Sequence, residues 1–323
     1  MTTVSAENSR KLARFRHQSL AFRELPLLLV LAGVVAFFSF TSSGFFNPVN
    51  LGSIGRDTAV IGLMAIGLTC VVITGGIDLS CASLLALSAS VMALLMQRQV
   101  NSGVAISAGL VCAMALGGVN ALLVTRLAVP PIVATLATLS LYRMQAIKAV
   151  TLISPLPAGL AVVSQGWVAS LILAAALIIS HAVLQRTAFG RHIYAVGGNP
   201  AAAKLAGLPV GRVIAGTYIL SGLCAGAAGV IASAMMNSAQ GNMLGGYELD
   251  TVAAVVIGGT SITGGRGSVI GSVIGAAIVA ALRNGLVVSG RDVYWYQTII
   301  GLTILAVGML DLKTSEKSRS AAG

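Results

Sequence analysis

Nine acidic residues, three histidines and four cysteines make up a small inventory of groups able to act as acids, bases, metal ligands or thiol nucleophiles. His17, His181 and His192 are scattered, and Cys70, Cys81, Cys112 and Cys224 fall in or beside apolar stretches with no Cys-x-x-Cys pair. Neither a metal centre nor a disulfide framework follows from such spacing. No Ser/His/Asp or Cys/His arrangement shares a helix face, so no catalytic residues and no metal ligands are assigned. Glu7, Glu24, Asp311 and Glu316 lie in tails or at the ends of apolar runs, and Asp57 and Asp292 read as loop residues. Asp78, in Thr-Gly-Gly-Ile-Asp-Leu-Ser, is different because it separates two long apolar runs. A carboxylate at a helix centre in lipid costs about 2.5–3.5 kcal/mol on insertion scales. Two readings stand: Asp78 caps the helix that starts there, or it lines a path for solute. Glu248 and Asp250, in Gly-Gly-Tyr-Glu-Leu-Asp, admit the same two readings.

Uncharged polar residues within the apolar runs include Thr69, Thr74, Asn120, Thr135, Thr138, Asn237, Gln240 and Asn284. Buried hydroxyls and amides can join helices across a membrane bundle. They can also form a lining for a neutral hydrophilic solute, and Asp78, Thr135, Thr138, Asn237 and Asn284 are carried forward as a candidate translocation path. No relay of acids or histidines crosses the chain, which argues against a proton pump or a voltage sensor.

The elements that must position these residues are set by composition. Hydrophobic residues make up 56% of the chain, charged residues 9%, and the mean hydropathy is +0.93. Soluble domains carry about 25% charged residues, so this chain cannot cover a soluble surface. Disorder is excluded by the same hydrophobicity. The composition is that of an all-α polytopic membrane protein. Apolar runs at 25–42, 59–75, 79–97, 103–125, 130–150, 165–185, 211–236, 250–264, 268–288 and 294–311 predict about ten transmembrane helices. The chain then divides into a basic tail over 1–24, a membrane domain over 25–311 and a second tail over 312–323. With both tails inside, the inner segments hold 14 of the 20 basic residues. That asymmetry orients a multi-pass inner-membrane protein. It also accounts for the net charge of +11 without nucleic acid. No Gly-x-x-x-x-Gly-Lys-Ser/Thr string is present, so this chain holds no ATP through a phosphate-binding loop and needs no cofactor of its own.

The longest polar interruption, 186–210, is cytoplasmic on this topology. Asn199 before Pro200 sets an N-cap and a first-turn proline in order, which predicts a short helix from 200 to near Gly207. A loop of this length with helix-start chemistry is the natural place for a cytoplasmic partner to dock. Ile-Thr-Gly-Gly occurs twice, at 73–76 and 262–265, each time at the end of an apolar run. Paired glycines there break a helix or allow backbones to touch.

Four strings taken together resemble the ribose-type branch of ABC importer permeases: GLMAIGLTCVVITGGIDLSCASLLAL (62–87), VPPIVATLATLSLYR (129–143), TAFGRHIYAVGGNPAAAKLAGLPV (187–210) and GYELDTVAAVVIGGTSITGGRGSVIGSVIGA (246–276). They run in order over most of the chain from about residue 45 to 311. The resemblance implies a permease subunit that translocates a neutral sugar. It implies a cytoplasmic ATP-binding subunit, a periplasmic or lipid-anchored sugar-binding protein and a second permease copy, identical or similar. It further implies that Arg191, Gly198, Asn199, Ala202, Lys204, Ala206 and Gly207 meet the ATPase. The chain departs from the family pattern at Cys81-Ala82, at Met144, and over 148–165, which is shorter than usual and lacks a Thr-Gly-Gly; that segment would help meet the binding protein. The rival readings are a secondary transporter of a small hydrophilic solute, which would need ion-coupling groups near mid-membrane, and a membrane scaffold without transport.

Overall fold

The computed structural model describes residues 24–290, 295–303, 305 and 309. The tails expected over 1–24 and 312–323 lie outside the described residues, Glu24 excepted. The apolar runs fold as helices: α1 (Glu24–Thr41), α2 (Pro48–Ile73), α3 (Cys81–Gln97), α4 (Ser102–Thr125), α5 (Pro131–Ala149), α6 (Gly166–Arg186), α9 (Val210–Met236), α10 (Tyr247–Ile257) and α11 (Val269–Val288). Two short helices, α7 (Ala188–Gly198) and α8 (Pro200–Leu205), fill the polar interruption, and residues 295–303 form the start of a last helix. Among the described residues the only β pairing is an isolated antiparallel bridge between Ile153 and Ala239. Among the described residues, six helices (α1, α2, α4, α6, α9 and α11) are long and apolar enough to cross a membrane. The other described apolar helices are shorter or less apolar, and the expected span at 294–311 falls only partly within the described residues.

Two boundaries differ from the sequence expectation for physical reasons. α2 starts well before its apolar run, because Asn47 accepts from the Val49 amide at 3.0 Å and Pro48 occupies the first turn. Arg56 and Asp57 are therefore helical rather than loop residues. α10 is only 11 residues long and ends at Ile257, where the expected span ran to 264. The interval 258–268 is a turn, entered through Gly259 at φ +78°.

α2 and α9 are the centre of the bundle. α2 is buried without interruption from Ala59 to Ile73. α4 crosses α9 at backbone distance: a Cβ on Gly117 would strike the Tyr218 carbonyl, and one on Gly222 would strike the Ala113 carbonyl. In lipid the association of helices rests on such close packing, since lipid tails are as apolar as leucine. The perimeter is apolar and uncovered, with Val111, Leu136, Ile178 and Ile179 among its exposed residues. That is the surface a bilayer requires.

Candidate coupling site and translocation path

The α7–α8 unit is built by local capping chemistry. Thr187 caps α7, its hydroxyl accepting from the Gly190 amide at 3.1 Å. Ile193 and Val196 form the buried face of α7. Asn199 then ends α7 and caps α8, accepting from the Ala202 amide at 3.0 Å, and Pro200 takes the first position. Gly207, at φ +79°, turns the chain toward α9. The predicted short helix is present and ends at Leu205, just before the expected end near Gly207. The seven residues assigned to an ATPase contact (Arg191, Gly198, Asn199, Ala202, Lys204, Ala206 and Gly207) are all exposed on this one unit. Sequence reasoning misses Leu205, which is 91% exposed beside Lys204. An apolar side chain so bare on a short amphipathic helix is legible only once Ala203 is known to be the buried member.

Three backbone segments meet beneath this unit. The Gly265 amide donates to the Ile73 carbonyl at 2.8 Å. A Cβ on Gly197 would strike the same Ile73 carbonyl, and one on Gly264 would lie 3.1 Å from both the Gly197 carbonyl and the Gly75 amide. Gly75 and Gly264, the first glycines of the two Ile-Thr-Gly-Gly strings, share a left-handed conformation, with φ +84° and +87°. The repeated string therefore marks two turns that pack on each other and on α7. Tyr194 of α7 adds a side-chain tie, its hydroxyl donating to the Gly267 carbonyl at 2.9 Å.

The five path residues are not gathered in one place. Asp78 is wholly buried between α2 and α3. One carboxylate oxygen accepts from the Ser80 amide at 3.0 Å and the Ser80 hydroxyl at 2.6 Å; the other accepts from the Ser221 hydroxyl of α9 at 2.9 Å. The Ser80 oxygen in turn accepts from the Asn120 amide of α4 at 2.7 Å. Asp78 thus fixes the turn just ahead of α3 without capping the helix's own amides, and also binds α9 and α4 to that turn. Thr135 joins α5 to the same turn by donating to the Ile77 carbonyl at 3.1 Å, while Thr138 bonds only within α5, to the Thr135 carbonyl at 3.2 Å. Asn237 and Asn284 belong to the other end of the bundle. Asn237 ends α9 in a left-handed conformation, and its side-chain oxygen accepts from the Leu156 amide at 3.2 Å. Asn284 exchanges a reciprocal pair of 2.8 Å hydrogen bonds with Asn50 of α2.

The two acidic residues of α10 take different partners. Glu248 caps, accepting from the Gly246 amide at 3.2 Å. Asp250 pairs instead with Arg283 of α11 at 3.3 Å. Among the described residues no group of three or more His, Cys, Asp or Glu could hold a metal ion.

Residues 50–308 match the model of a family described as the permease component of a branched-chain amino acid transport system. The chain belongs to that permease family. It is 37% identical over 310 residues to the ribose import permease of Escherichia coli (strain K12), covering 90% of this chain and 94% of the relative. It is 33% identical over 324 residues to the fructose import permease of Rhizobium meliloti, covering 94% and 88%. It is also 33% identical over 307 residues to a probable ABC transporter permease of Escherichia coli (strain K12), covering 92% of each. No solved structure matches. The family places this protein as a multi-pass component of a bacterial inner-membrane importer.

Proposed function

We propose that this permease subunit carries a neutral sugar, most simply a monosaccharide, inward across the membrane, driven by ATP hydrolysis on a separate subunit docked against α7–α8. The observation that carries the reading is the α7–α8 unit itself: seven exposed motif residues on two capped helices and their flanking caps and turn, seated on the core through the backbone contacts of Gly197, Gly264 and Ile73. A displacement imposed on α7 is passed to the end of α2 and to the 258–268 turn with no flexible side chain between. The family's membership of ABC import systems supplies the ATPase and a substrate-binding protein as partners, and the sugar relatives favour a sugar over the amino acids in the family's description. The charge asymmetry of the sequence puts α7–α8 in the cytoplasm, where ATP is found. A second permease copy completes the assembly.

Coupling of this kind needs ATP to bind one state of the assembly better than the other, and the permease need hold its cargo only weakly. The test is uptake of radiolabelled D-ribose and D-fructose into proteoliposomes holding the full importer. Asn199→Pro removes the α8 cap and Gly207→Arg loads the exit turn. Each is expected to leave the permease in the membrane and cut uptake at least tenfold per ATP hydrolysed. Undiminished uptake in both variants, or uptake that persists without ATP and collapses with the proton gradient, would return the reading to a secondary transporter.

A further inference from the structure

A cavity of about 370 Å³ lies between α10, α11 and the last helix, on the side of the bundle away from α7–α8. Its polar wall is one interlocked group. The Arg283 guanidinium lies 4.4 Å from the centre of the Tyr247 ring and 5.8 Å from that of Tyr296, and pairs with Asp250 at 3.3 Å. Gln297 and Gly301 of the last helix form the facing wall, and both are exposed.

The position of this group within the bundle is informative. Tyr247, the first residue of α10, stacks on Arg283, five residues short of the end of α11 at Val288. At 1.5 Å per residue the start of α10 is about 8 Å below the end of α11. The irregular backbone of 238–246 thus descends into the depth of the bundle before α10 begins. Non-helical backbone at that depth is tolerated where it is buried in protein or lines a water-filled cavity, and interrupted helices are a common seat of solute sites. An ionisable pair at such depth is costly beside lipid and is more readily kept beside water.

Resting on the sugar-import reading above, we infer that this cavity is a way-station for the sugar, in which Tyr247 and Tyr296 offer ring surface and Asp250, Arg283 and Gln297 offer hydrogen bonds to neighbouring hydroxyls. Asp250 and Arg283 are spent on each other as an ion pair, leaving the site with side-by-side donors and acceptors that suit a neutral polyhydroxylated solute. A carboxylate, a guanidinium fork and an amide each place two hydrogen-bonding atoms side by side, matching adjacent hydroxyls on a ring. The tyrosine rings meet the apolar C–H face of the same ring.

The test uses the whole importer, with its ATPase and binding protein, in proteoliposomes supplied with D-ribose, D-fructose and D-galactose. Gln297→Trp and Gly301→Phe fill the cavity without touching the ion pair and are expected to lower uptake at least tenfold. Leu302→Phe, on the exposed face beside it, is expected to stay within twofold of wild type. To separate a blocked path from a misfolded chain, Gln297→Cys in a Cys112→Ala background is labelled with a water-soluble maleimide. Labelling is expected, and it is expected to slow at least threefold during turnover with sugar-loaded binding protein. Wild-type assemblies that carry none of the three sugars would remove the sugar reading and this site with it. Sugar uptake that persists within twofold in both filled variants, or an introduced thiol that resists labelling or ignores turnover, would overturn the site and leave the sugar reading in place.

Discussion

The Gly265 amide donates to the Ile73 carbonyl at 2.8 Å, bringing the turn after α10 onto the C-terminal end of α2. The same carbonyl oxygen is the atom that a side chain on Gly197 would strike. One oxygen thus sits at the meeting of α2, α7 and the 258–268 turn, and the closeness of that meeting can be tested by adding a single carbon.

Gly197→Ala forces the Ile73 carbonyl away and is expected to destabilise the permease by about 2 kcal/mol, within the range of strained or overpacked core changes. Gly198→Ala meets no atom within 4 Å and is expected to leave stability unchanged. Thermal unfolding of the two variants in detergent, side by side, measures the difference. Equal melting curves would show that the junction is looser than its geometry implies.

Leu205 is expected to act only in the complex. Because it is 91% exposed, Leu205→Ala should leave the melting curve of the isolated permease in place. Burying a leucine against a partner contributes about 1.5–3 kcal/mol, so its loss should weaken retention of the ATPase at least tenfold in a pull-down with purified components. Unchanged retention would mean that the partner grips α7 or Lys204 and leaves this side chain bare.

Asp78 separates structure from transport. Asp78→Asn keeps one oxygen acceptor for Ser80 and should cost little stability, whereas Asp78→Ala leaves the Ser80 amide and the Ser221 hydroxyl without their acceptors and should cost about 2–4 kcal/mol. Uptake assays on the stable asparagine variant decide the remaining question. Near-normal transport assigns Asp78 wholly to architecture. A folded chain that no longer transports would restore it to the path.

Asn50 and Asn284 offer a clean measurement across the bundle. Their two reciprocal bonds join α2 to α11, and a double-mutant cycle with alanine at each position should give a coupling of about 0.6–1.7 kcal/mol, the range for hydrogen bonds between membrane helices. Absence of coupling would free Asn284 for the solute-lining role that its polarity allows.

What the sequence discloses is what depends on neighbours along the chain. Asn199-Pro200 and Gly207 encode the start and exit of α8 over a short local stretch, and the structure has both. Asn47-Pro48 is the same start signal; it escapes notice because Arg56 and Asp57 lower the local hydropathy, although a helix does not end where its apolar run does. The pairing of Asp250 with Arg283 is out of reach for a different reason. The partners are 33 residues apart and meet only because α10 is about half the length of α11 and folds back along it. Likewise the Ile-Thr-Gly-Gly echo is visible as a repeat, but that its two copies touch each other is a fact of packing.

The glycine crossing of α4 and α9 carries a consequence for movement. With Gly117 against Tyr218 and Gly222 against Ala113, neither helix can roll or slide on the other without driving carbonyl oxygen into backbone. The pair forms a keel. On the import reading proposed above, a swing that opens the interior first to one side of the membrane and then to the other would pivot around that keel, in the elements packed outside it.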